Sequence, residues 1–206
     1  MAAYLDDVIE FDSDPFAHVL TITGLFKHLR KHNLKLSPSK VKIGATGADF
    51  LGDTISPAGS WPNASKVAAL TKRPMSSDLK QLRSLLGDLS YYSKFLEYMA
   101  KRIRPITSLL KHGVKFIFTP SMEIIVRTLL GGLSAPPVLV YPDWDAVADN
   151  SRPFLLYCDA SVDGLGATLE QEQKGGSIRP IVFISRANLE SERHWTPLGL
   201  EAGSIV

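Results

Sequence analysis

The chain has 206 residues, 45% of them apolar, a single cysteine and a formal net charge of +2. That size allows one large domain or two small ones, and the composition is ordinary for a soluble globular protein. A lone Cys158 excludes an internal disulfide framework and a cysteine-built zinc cluster; no apolar run is long enough to span a membrane and no secretory signal is visible, so an intracellular setting, cytoplasmic or nuclear, is expected.

The first informative stretch is Tyr4-Leu5-Asp6-Asp7. Two adjacent carboxylates between short apolar runs read as a tight β-hairpin with an exposed tip. Buried strands rarely carry two unpaired acids, because an ionised carboxylate away from water is costly. Taken alone, the pair is either a solvated turn or half of a divalent-metal site, since hard oxygen ligands suit Mg²⁺. Asp14-Pro15 then opens a helix, with Asp as cap and Pro in the first turn. Phe16, Val19, Leu20, Thr23, Phe26 and Leu29 recur at helical spacing, and this stripe is expected to pack on a sheet. Lys27, Arg30 and Lys31 suit the helix C-terminus, and Asn33 stops it. His28 and His32 lie one turn apart, but no third metal ligand accompanies them. Residues 34–36 and 41–43 read as short strands around the turn Ser37-Pro38-Ser39. Residues 48–55 and the turn Pro57-Ala58-Gly59 follow.

Asn63 caps a short helix over 64–70, which ends near Pro74. Ser77-Asp78 starts a stronger one, with Leu79, Leu82, Leu85, Leu86 and Leu89 as its apolar stripe and Lys80, Arg83 and Lys94 off it. Tyr91 and Tyr92 read as core. Gly131-Gly132 weakens a later helix, and the polar stretch 146–152 lacks periodicity and reads as a boundary. Residues 154–161 form a buried-strand pattern ending at Asp159, followed by strands over 165–169 and 181–185. Glu192 is expected on the surface, and Leu200-Glu201 lies in an opening helix. Cys158 reads as a core thiol. Charge is unevenly spread. Residues 1–25 hold five acids and no Lys or Arg, residues 26–115 seventeen Lys or Arg against five acids, and residues 116–206 six against eleven. A basic middle between acidic ends suits a polyanion lying across the centre, and a solvated basic face has the same composition.

Several motifs in order carry a resemblance. They are Tyr4-Leu5-Asp6-Asp7-Val8-Ile9, His18-Val19-Leu20, Leu34-Lys35-Leu36-Ser37-Pro38-Ser39-Lys40, Phe50-Leu51-Gly52, Leu82-Arg83-Ser84-Leu85-Leu86-Gly87 and Tyr91-Tyr92-Ser93-Lys94-Phe95. With the Asp159 strand, this series resembles the reverse transcriptase and RNase H region of the Pol polyprotein of gypsy-type LTR retrotransposons, along essentially the whole chain. The resemblance implies a mixed α+β fold: the C-terminal part of a palm over 1–62, a helical thumb over 63–112, a connection over 113–152 and a truncated RNase H-like sheet over 153–206. It implies metal-dependent phosphoryl transfer on an RNA/DNA template–primer, with Asp6 and Asp7 in one centre and Asp159 and Glu201 in another, all four as catalytic ligands of Mg²⁺ or Mn²⁺. Tyr4, Phe50, Leu51 and Gly52 would hold the primer end. Lys80, Arg83, Gly87 and Lys94 would touch the duplex through its shape and phosphates.

The departures are equally specific. The family palm needs another Asp upstream, and only three residues precede Tyr4. The later RNase H acids are missing, Gly199 stands where an acid is usual, and Gly203 should cost its helix about 1 kcal/mol relative to Ala. The expectation is a Pol fragment that binds Mg²⁺ weakly, is inactive alone and exposes apolar faces to the rest of Pol or another chain. The alternatives are a non-catalytic nucleic-acid-binding module or a decayed transposon product.

Overall fold

A computed structural model describes residues 1–205. They form two compact units, Met1–Pro57 and Ala58–Val206. The fold is mixed α+β, with three small sheets and seven α-helices among the described residues.

In the first unit, β1 (Ala2–Tyr4) and β2 (Asp7–Ile9) pair as an antiparallel hairpin. Helix α1 (Pro15–Lys31) follows. Asp14 caps it by accepting from the Ala17 N–H at 2.7 Å. Asn33 ends it at φ 56°, where Asn is among the few residues that sit readily. The expected packing of α1 is reversed. Phe16, Val19 and Leu20 are 83%, 61% and 74% exposed, and the helix buries no residue fully. Its half-covered positions are Ala17, His18, Thr21, Ile22, Leu25 and Leu29. Three-residue strands in a two-stranded hairpin are too small to cover a 17-residue helix. The short strands expected at 34–36 and 41–43 are also absent from the ladder. Leu34, Leu36 and Ile43 are exposed, and an apolar triplet becomes a strand only where another strand pairs with it. The turn between them does form, with Lys40 N–H donating to the Ser37 carbonyl at 3.0 Å. β3 (Ala48–Phe50) and β4 (Asp53–Ser56) complete the unit as a second hairpin.

The second unit begins with β5 (Gly59–Pro62), whose Ser60 bridges Leu139 through two backbone hydrogen bonds of 2.8 and 3.0 Å. Helix α2 (Ala64–Thr71) is capped by Asn63, and α3 (Leu79–Tyr91) by Asp78, which accepts from Gln81 N–H at 2.8 Å. α4 (Met99–Thr107), α5 (Pro120–Ser134) and α6 (Trp144–Ala148) follow. β6 (Phe154–Ala160), β7 (Gly164–Glu172) and β8 (Ile178–Ala187) form an antiparallel meander, and α7 (Pro197–Ile205) packs on β6 and β7.

The core of this unit is helical. Leu82, Leu85 and Leu89 of α3 share one buried cluster with Val126, Leu129, Leu130 and Leu133 of α5 and with Phe95, Met99 and Ile106. Phe183 carries the meander onto this core. Gly131-Gly132 does not interrupt α5, because Leu129, Leu130 and Leu133 around it are almost fully buried and outweigh two weak helix formers. Residues 146–152 finish the short helix α6 and then run through a turn that is held in place. Asp143 caps α6 and pairs with Arg152 at 2.7 Å. Buried Gln171 of β7 accepts from Asp143 N–H and donates to the carbonyls of Asp143 and Arg152. That polar joint ties the stretch to the sheet. Tyr92 is core, as expected, whereas Tyr91 stands edge-on to it and is 48% exposed.

Candidate functional site

The two hairpins of the first unit are built alike. In each an aromatic residue faces an aspartate across the ladder, Tyr4 opposite Asp7 and Phe50 opposite Asp53. In each a leucine opens the two-residue loop in the left-handed region, Leu5 at φ 53° and Leu51 at φ 50°. That conformation costs a side-chain-bearing residue roughly 1–2 kcal/mol. Gly52 follows at φ 84°, so both central residues of the second tip have positive φ, as a type I′ turn requires. The two tips share the pattern aromatic–Leu–x–Asp, Tyr4-Leu5-Asp6-Asp7 and Phe50-Leu51-Gly52-Asp53.

Tyr4, Leu5, Asp6 and Asp7 are all exposed. Asp6 and Asp7 offer hard oxygen donors, the chemistry that suits Mg²⁺. Among the described residues, no three or more His, Cys, Asp or Glu side chains gather into a group that could hold a metal ion. The donor type therefore fits a divalent cation, while the donor number fits only an ion that keeps most of its waters or shares oxygens with a phosphate. His28 and His32 have their rings 4.7 Å apart and belong to no such group.

In the second unit, α3 divides cleanly. Its leucines 82, 85 and 89 are buried, and Lys80, Arg83 and Gly87, spaced by three and four residues, are exposed. A Cβ added at Gly87 would meet nothing within 4 Å, so this stretch of helix backbone is open to close approach. Lys94, in the turn after α3, is half-buried, its Nζ 5.1 Å from the Phe95 ring centroid and 5.9 Å from that of Tyr91.

Asp159 lies near the end of β6, directly opposite Gly166, and is exposed. Glu201 is exposed on α7. The turn just after Asp159 is held from three sides. Arg104 of α4 donates to the Asp163 carbonyl at 2.9 Å, Arg193 lies 3.2 Å from its carboxylate, and Asn188 donates to the carbonyls of Ser161 and Val162. The Tyr98 phenol is pushed above its ordinary value, first by burial and then by the negative charges of Glu97 and Asp159. Sequence reasoning missed both Tyr98 and Asp163, because their partners are distant in the chain. Glu192 corrects the expectation of a surface residue. It is buried, accepts two hydrogen bonds from Arg186 at 2.7 and 2.8 Å and a third from Leu189 N–H at 2.7 Å. These bonds hold its carboxyl down to about 2. Gly203 is also explained: a Cβ there would stand 2.8 Å from Trp195, whose ring lies against the helix.

Residues 118–206 match the RNase H-like domain found in reverse transcriptase. Across 98% of its length the chain is 35% identical to the retrovirus-related Pol polyprotein from transposon 297 and 32% identical to that from transposon gypsy, both of Drosophila melanogaster. This chain is a relative of the gypsy-type retrotransposon Pol polyproteins. It is also 24% identical, over its whole length, to the transposon Tf2-3 polyprotein of Schizosaccharomyces pombe. The Pol relatives are far longer: the chain spans 18% of the transposon 297 polyprotein and 20% of that from gypsy. Its fold is that of the foamy viral protease-reverse transcriptase. The form in complex with double-stranded DNA superimposes with a TM-score of 0.82 at 21% identity, over 99% of this chain and 35% of that one. The form in complex with an RNA/DNA hybrid gives 0.80 at 21% identity, over 99% and 27%. No helix among the described residues is long and apolar enough to cross a membrane.

Proposed function

We propose that this Pol segment holds a template–primer duplex, with palm over 1–62, thumb over 63–112, connection over 113–152 and RNase H-like sheet over 153–206. The observation that carries this reading is the exposed basic stripe of α3, opposite its buried leucines. Lys80 and Arg83 neutralise phosphates, and Gly87 lets the backbone of the duplex come close. Lys94 adds a cation beside the exposed Tyr91. Tyr4 and the Phe50-Leu51-Gly52 tip take the primer end. Both foamy viral structures are complexes with nucleic-acid duplexes, which supports the same ligand class here.

Asp6 and Asp7 are the residues that would hold Mg²⁺ or Mn²⁺ in the polymerase centre, and Asp159 and Glu201 those in the RNase H-like centre. The bound ion would supply charge neutralisation and activation of the attacking oxygen in phosphoryl transfer. The chain's own contribution is to present carboxylates and to orient the duplex. In this reading the isolated chain binds the ion weakly and does not polymerise. The uncovered stripe of α1 is assigned to the remainder of a Pol polyprotein.

The test is fluorescence anisotropy of a labelled RNA/DNA hybrid over a salt series. Affinity should fall steeply between about 50 and 200 mM salt, because phosphate contacts release counterions. Lys80→Ala and Arg83→Ala should each lower the slope of log affinity against log salt by about 1. Salt-independent binding would refute the thumb reading, and primer extension by the isolated chain would refute its inactivity.

A further inference from the structure

We propose that Tyr98 is a positioning residue for Asp159, its ring laid on Gly166 so that the helical segment holds the acid-bearing strand of the RNase H-like domain. Asp159, Gly166 and Ser185 form one row across β6, β7 and β8. Direct cross-strand partners project to the same face of a sheet. The Asp159 carboxylate therefore stands on the face to which a Gly166 side chain would point, and that space is already filled. A Cβ on Gly166 would lie 2.6 Å from Tyr98 Cδ1 and 2.9 Å from Cε1. Only glycine leaves room for the ring.

The rest of the row is engaged by the same chain segment. The Ala100 N–H, two residues on, donates to Ser185 Oγ at 3.1 Å. One turn further, Arg104 fixes the carbonyl of Asp163 in the turn that follows Asp159. The start of α4 thus covers the second and third members of the row and leaves the first, Asp159, open at the edge. Tyr98 itself sits at φ 51°, a left-handed conformation that an aromatic residue adopts only when surrounding contacts impose it. Its ring lies against Gly166, a contact that helps to hold it there. An acid that holds an ion with few protein ligands depends on how well its own backbone is fixed. Tyr98 supplies that fixing from outside the sheet.

The metal consequence rests on the proposed role of Asp159, and the test separates the two. In the metal-free 206-residue chain, amide hydrogen exchange is followed at Asp159 and Gly166, with the Phe154 and Gln171 end of the same hairpin as reference. Tyr98→Ala should speed exchange at the Asp159 end roughly tenfold relative to that reference, and Tyr98→Phe, which keeps the ring, should stay within about twofold of the parent. Mn²⁺ is then titrated and the broadening of the Asp159 resonance recorded. Tyr98→Ala should need roughly threefold more Mn²⁺ for the same broadening, with Tyr98→Phe restoring the parent value. If Tyr98→Ala proves unfolded by circular dichroism, Gly166→Ala replaces it, because the added methyl displaces the ring while leaving Tyr98 in place. Unchanged exchange at Asp159 in the folded variant overturns the proposal. If Asp159→Asn broadens like the parent, the metal role of Asp159 fails and the exchange result still decides Tyr98.

Discussion

Glu192 and Arg186 form a two-bond fork with the Leu189 N–H as a third donor. Two hydrogen-bonding partners stabilise the charged carboxylate, so the folded chain holds it at about 2 against an ordinary 4.5. The sign follows from linkage. A depressed carboxyl contributes stability that is fully present above the ordinary value and is lost as pH falls through the folded one. The turn over 189–195 should therefore stay intact down to pH 4.5 and open progressively toward pH 2. The Leu189 amide shift reports this directly, because its N–H donates to the titrating oxygen. A midpoint near 4.5 would show that the fork is not formed in solution. Glu192→Gln should lose the charge-assisted bonds and remove the transition. Nothing in the local sequence marked this pair, because its two members lie on β8 and in the turn beyond it, and only folding brings them together.

Helices divide by what their apolar stripe meets, and this decides how much of each was legible. The starts of α1, α2 and α3 were readable because a cap is a local bargain between one side chain and one or two N–H groups, as at Asp14, Asn63 and Asp78. The leucine stripe of α3 was readable because Leu82, Leu85 and Leu89 are buried in the helical core at the expected period. The stripe of α1 misled, because period fixes which residues share a face and says nothing about whether anything covers that face. The Asp6-Asp7 hairpin was visible as turn chemistry, whereas the stretch 48–55 read as continuous and the structure splits it at Leu51-Gly52, and the row Asp159–Gly166–Ser185 needed the sheet register. Helix α5 contributes Val126, Leu129, Leu130 and Leu133 to the core, all almost fully buried. Leu129 is fully buried in the helical core cluster. Leu129→Ala should cost about 2–5 kcal/mol, the transfer term plus the cavity left behind. Urea unfolding followed by circular dichroism measures it, and a loss under about 1 kcal/mol would mean that the site collapses freely.

At the scale of the whole molecule, the two units carry unequal shares of the apolar core. Every residue of the helical core cluster lies between Val67 and Leu139, with Phe183 packed against it, all in the second unit. The first unit places a 17-residue helix and two hairpins together with no fully buried apolar side chain. Isolated helices of this length are marginal in water, and isolated hairpins are more so. Local opening free energy tracks buried apolar contact, so amides of α1 should exchange near the rate of local fraying, while those of α3 and α5 exchange only on global unfolding. The expected protection in α5 exceeds that in α1 by a factor of roughly a thousand or more, and unfolding by denaturant should not be two-state. Hydrogen exchange read residue by residue decides it. Equal protection in both helices would mean that the exposed stripe of Phe16, Val19 and Leu20 is covered in solution by a second copy of the chain. In that case protection in α1 would fall on dilution, whereas protection in α5 would not. An α1 that remains open at every concentration is not covered by a second copy, and its protection should then stay low whatever the chain concentration.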